Sequence, residues 1–185
     1  TTLIASALGL ALVHPAVSFS QVTLTANDAL GTSSFNSAGN WSPAGAPSAG
    51  NTYSTLGYLL RSPATAGSYT FAGDSLTIGG GDGGGANPFS PTTANNNALI
   101  FKASAVTLTV NNLILDGAQI RDGNGDGSFT TLNGNIFVAA NGGSFLAQDT
   151  NIVNSAISGS GPIYIGNNGN GSAARVIVFT SGLST

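Results

Sequence analysis

Between Asn95 and Ser181 the chain keeps repeating one phrase, a short apolar strand followed by a turn rich in Asn and Gly. Examples are Ala98-Leu99-Ile100-Phe101, Leu113-Ile114-Leu115-Asp116-Gly117, Asn135-Ile136-Phe137-Val138, Pro162-Ile163-Tyr164-Ile165-Gly166-Asn167 and Val176-Ile177-Val178-Phe179. Elsewhere from Gln21 onward apolar and polar residues alternate, as in Val106-Thr107-Leu108-Thr109-Val110, which puts every second side chain on one face of a strand. No stretch outside the first twenty residues carries a helical period. Asn/Gly clusters at 111–112, 122–127, 141–143 and 167–171 supply the backbone freedom that tight corners require. The longest low-complexity stretch, 79–97, reads as an exposed loop.

With Ile100, Ile114, Ile136, Ile163 and Ile177 as anchors, the intervals are 14, 22, 27 and 14 residues. That spacing is too uneven for a strict code and suits coils of two or three strands with loops of variable length. The expected fold is all-β, a right-handed parallel β-helix or β-solenoid behind an irregular N-terminal capping segment. The alternative is a β-sandwich or jelly roll, which needs long crossovers where this chain has a corner after nearly every strand. In the solenoid, Ile114, Ile136 and Ile163 are expected to point inward and stack along one axis.

Composition removes most chemistry. Only 6% of the 185 residues are charged while 41% are hydrophobic, so there is enough apolar surface to fold and solubility must come from Asn, Ser, Thr and Gly. A net charge of −3 offers no basic patch for a phosphate backbone, and nucleic acid is not an expected partner. The absence of Cys excludes disulfides and thiolate metal sites.

Residues 1–20 differ from the rest. The uncharged run Leu3-Ile4-Ala5-Ser6-Ala7-Leu8-Gly9-Leu10-Ala11-Leu12-Val13, followed by small residues to Ser20, has the shape of a signal-peptide core and is too short to span a bilayer. The expected organisation is therefore a signal-like segment at 1–20, a capping and irregular β region at 21–97, and solenoid repeats at 98–185 continuing into further repeats of the same polypeptide. No stable transmembrane helix is expected.

The stretch Phe35-Asn36-Ser37-Ala38-Gly39-Asn40-Trp41-Ser42-Pro43-Ala44-Gly45-Ala46-Pro47 resembles the entry segment of bacterial autotransporter-associated β-strand repeat proteins, with Asn51 where that group carries an acidic residue. Phe71-Ala72-Gly73-Asp74-Ser75-Leu76-Thr77-Ile78 and Leu132-Asn133-Gly134-Asn135-Ile136-Phe137-Val138 are similar to phrases that follow it there. The resemblance implies a secreted or bacterial cell-surface solenoid, structural or adhesive, without catalytic residues. Cell-surface glycans or other surface proteins are the partners it suggests.

Three sets of residues stand out as candidate sites. Asp122-Gly123-Asn124-Gly125-Asp126-Gly127 matches the first half of a Ca²⁺-binding loop, in which alternate oxygen side chains converge on a hard cation; Asp122, Asn124 and Asp126 are the candidate ligands. The twelfth position is Asn133, so the closing carboxylate is missing, and the competing reading is a polar corner. Trp41 and Tyr53 are candidate sugar-stacking rings, against the reading that Trp41 caps the solenoid. Asp116, Asp122 and Asp126 raise a glycan-cleaving β-helix, for which carboxylates must work in pairs. Arg121 and Arg175 stand alone in sequence and give such an enzyme no basic support.

Overall fold

The computed structural model describes residues 20–29, 33–80, 97–122, 129–167 and 175–181. Within them the strands are β1 (Ser20–Leu24), β2 (Trp41–Ser42), β3 (Asn51–Ser54), β4 (Leu60–Arg61), β5 (Gly67–Thr70), β6 (Ser75–Gly79) and β7 (Ala98–Phe101). They continue as β8 (Val106–Asp116), β9 (Ala118–Asp122), β10 (Phe129–Val138), β11 (Gly143–Ala147), β12 (Thr150–Gly159), β13 (Ile163–Asn167) and β14 (Val176–Phe179). The one helical element described is a short 3₁₀ turn at Ala38–Asn40.

These strands form a parallel β-solenoid of about four turns. From β6 onward the chain alternates between two sheets. One runs β14-β12-β10-β8-β6-β3-β1-β2, with β5 beside β6 on β8; the other runs β13-β11-β9-β7-β4. Leu113 pairs with Ile136 and Ile136 with Ile157, so successive turns take 23 and 21 residues. The parallel ladder reaches back through β3 to β1, so the region expected to cap the solenoid also contributes strands to it.

Two rows of side chains make most of the core. In the larger sheet Val22, Tyr53, Leu76, Leu113, Ile136 and Ile157 stand in register and are all buried. In the smaller sheet Leu60, Leu99, Ile120 and Phe145 do the same and the row ends at Ile165. Each fully buried aliphatic side chain contributes about 1.5–3 kcal/mol, which makes such rows the main source of stability.

The expected stack of Ile114, Ile136 and Ile163 is corrected by the register. Ile136 stacks on Leu113, whereas Ile114 points outward and Ile163 lies in the other sheet opposite Gly143. The cause is a bulge: Val110 pairs with Gly134 and Asn112 with Asn135, leaving Asn111 as an extra residue. Even-numbered residues of β8 face inward before Asn111 and odd-numbered ones after it, because one added residue reverses the strand's faces.

The two ends differ. At the first, β2 runs antiparallel to β1 and covers its edge. There Trp41 packs edge-on against Tyr53, with ring centroids 5.0 Å apart, and Phe71 meets both Tyr53 (5.1 Å) and Phe35 (5.8 Å). The Trp41 indole N–H donates to the Phe35 carbonyl at 2.7 Å, satisfying the polar edge of a ring that is 1% exposed. At the other end the core rows run out: Ile165, an inward position, is 52% exposed, and Ile163, Val176 and Val178 are exposed beside it.

Candidate functional site

Trp41 and Tyr53 are held by the cap just described. Their faces are taken up by each other and by Phe71, so neither ring is open to a sugar, and the geometry fits the capping reading of Trp41. The Tyr53 hydroxyl accepts the backbone N–H of Ser48 at 3.0 Å, on the wall of an open groove. Small uncharged residues line that groove, among them Ser20, Pro43, Ala46 and Asn51.

Of the candidate calcium ligands, Asn124 and Asp126 lie outside the described residues, as do residues 1–19 of the signal-like segment. Asp122 is described. It ends β9, where the chain leaves the smaller sheet, and its carboxylate is buried and accepts the backbone N–H of Asp149 at 3.2 Å. Asp149 occupies the equivalent corner one turn on, after β11. Among the described residues no group of three or more His, Cys, Asp or Glu converges as a metal centre.

Asp116 does not join Asp122. It ends β8 and accepts a hydrogen bond from the Asn141 amide at 2.7 Å, at the corner where β9 begins. Asp122 lies at the far end of β9, which spans roughly 13 Å.

Sequence reasoning missed a polar latch around Asp28. Its buried carboxylate accepts the backbone N–H of Arg61 at 3.1 Å, the Asn40 amide at 3.3 Å and the hydroxyl of Ser33. The Lys102 ammonium donates to the carbonyls of Ser33 (2.9 Å) and Ala29 (3.4 Å). Burial lowers the Arg61 and Lys102 pKa values, and the Asp28 charge opposes that shift in both. Arg121 does not stand alone in space: Arg61 and Arg121 lie on one outward row, each paired with Ile100. Burial, and then the like charge of Arg61, lower the Arg121 pKa. Nothing local in the sequence marks these partners, which lie 33 to 93 positions apart between Asp28, Arg61 and Arg121.

The outward face of the nine-stranded sheet carries polar rows. Its register lines up Ser68, Thr107 and Thr131 in a row that runs on into Ile152 and Val178, and Thr70, Thr109, Asn133 and Asn154 in the next. Side chains bond across turns: Asn154 donates to Asn133 at 3.2 Å, and the Thr180 hydroxyl to Asn154 at 2.6 Å. The Asn135 amide likewise reaches the Asn111 carbonyl at 3.1 Å. None of these row residues is charged. No family model matches the chain, and comparison with curated proteins and with solved structures finds no match either.

Proposed function

We propose that this chain is an exported cell-surface solenoid module, structural or adhesive and without catalytic activity, of the kind found in autotransporter-associated β-strand repeat proteins. The observation that carries the reading is the uncharged ladder of Ser, Thr and Asn on the larger sheet. Its members are tied across turns at two places, Asn154 to Asn133 and Thr180 to Asn154, so the ladder forms an extended polar face. Cross-strand pairs of this type stabilise a sheet and leave hydroxyls and amides aligned toward solvent. The uncovered core row at Ile165 supports further coils stacking on that end, since apolar row positions normally face another turn.

Proteinase treatment and antibody labelling of intact producing cells test the reading. The expected result is surface labelling lost on proteinase treatment, together with a change in cell adhesion or surface-layer integrity on deletion. Intracellular protein, or release of reducing sugar from a glycan library, defeats it. Glycan binding without cleavage favours the second reading, a carbohydrate-binding module, for which the uncharged groove beside Tyr53 is the place to look.

A further inference from the structure

The corner that joins the smaller sheet to the larger one contains an electrostatic imbalance. Asp149 is 2% exposed, both of its carboxylate oxygens are buried, and neither has a hydrogen-bond partner. Its own backbone N–H is taken by the carboxylate of Asp122, which is 1% exposed, so two acidic side chains sit at one corner on successive turns. Arg175 stands next to Asp149 in register one turn further on, since Thr150 pairs with Val176. Withdrawing a charge from water without a partner costs several kcal/mol, and a second carboxylate beside it adds repulsion. A buried carboxylate whose two oxygens accept no hydrogen bond, with a second acid at the same corner, is a place where a cation can supply what the protein does not.

We propose that Asp149 and Asp122 form a binding site for a hard divalent cation, calcium by class, that ties two successive turns together at this corner. Oxygen ligands on a flexible corner suit Ca²⁺, which accepts six to eight oxygens in irregular geometry and takes water where the protein supplies none; Mg²⁺ demands a tighter octahedron. The site differs from the loop pattern read in the sequence, because Asp149 lies 27 positions from Asp122 and belongs to the next turn. With two carboxylates the affinity should fall in the range of extracellular modules, a Kd of about 10⁻⁴–10⁻³ M. Binding at that strength makes the solenoid's stability respond to calcium at extracellular concentrations.

The test uses the whole 185-residue chain, freed of metal by chelator, titrated with CaCl₂ and with MgCl₂ at constant ionic strength. Heat of binding and melting temperature are followed together. The expected result is saturable calcium binding, a melting temperature that climbs with calcium, and a smaller response to magnesium. Asp149→Asn should weaken binding about tenfold or more and remove the thermal gain. The same variant should melt higher than the metal-free parent, because it deletes a buried charge that accepts no hydrogen bond. Asp149→Ser provides a second, smaller replacement should the amide pack poorly. No calcium response in the parent overturns the proposal, and so does an undiminished response in both variants, which would put the cation elsewhere. Failure here leaves the surface-module reading intact, since that reading is tested by location and adhesion.

Discussion

Gly134 shows how much one missing side chain decides. Its φ of +114° lies in the region that favours glycine, and a Cβ built there would come within 1.9 Å of the Val110 carbonyl oxygen. This is the point where β10 passes the bulge of β8, so the backbones approach closely because the partner strand carries an extra residue. Gly134→Ala is expected to cost about 2–4 kcal/mol, combining backbone strain with the clash. Gly45→Ala, where nothing lies within 4 Å of the added carbon, should stay within about 0.5 kcal/mol. Denaturant midpoints for the two variants check the contrast. Residue by residue, the sequence showed that Ile136 is core. It also assigned Ile114 inward, in error, because alternation is read modulo two and an inserted Asn111 changes the phase without leaving a local mark.

Among the elements, the N-terminal cap is the one whose purpose was legible. A lone Trp in an irregular, Pro- and Gly-rich stretch ahead of regular strands pointed to an end cover, and Trp41 stands in that role with Phe35, Tyr53 and Phe71 around it. Trp41→Ala is expected to destabilise the protein by about 3–5 kcal/mol. Trp41→Phe keeps a ring but strands the Phe35 carbonyl, for about 1–3 kcal/mol. Because Trp41 is the only tryptophan, its emission reports the cap directly. A short-wavelength maximum is expected in the native state, shifting red when Phe71→Ala loosens its packing; an emission maximum already at the solvent-exposed position would refute the buried cap. What the sequence could not show is how the cap is fastened. Asp28 meets the Arg61 backbone 33 positions away, and Lys102 reaches Ser33 from the next turn, contacts that exist only once the coil pitch is set. The Asp149 corner was hidden for the same reason: a motif search within 122–127 sees only neighbours in sequence, while the solenoid brings together residues one turn apart.

At the scale of the molecule, each turn contacts mainly the turns before and after it, so stability is a sum of nearest-neighbour terms. The ends should therefore open before the middle, and unequally. In hydrogen exchange the amides of β8 and β10 are expected to be slowest, because β10 lies between two long parallel partners and β8 carries β5, β6 and β10. Those of β13 and β14, at the uncovered end, should exchange fastest, with the capped β1 in between; equal protection along the ladder would rule out this gradient. The choice of a stacked fold over a sandwich was readable from the corners that follow nearly every strand, and the length of one turn became clear only from the pairing.

That turn length has a mechanical meaning. A parallel stack rises about 4.8 Å per turn. With 21 to 23 residues in the turns from Leu113 to Ile157, each residue adds only about 0.2 Å along the axis, against 1.5 Å in an α-helix. Such a chain is a poor tether and a good plank, converting polypeptide into width and bending stiffness more than into reach. A protein built from it projects far from its anchor only by being very long, and gains in exchange a surface that grows steadily with every coil.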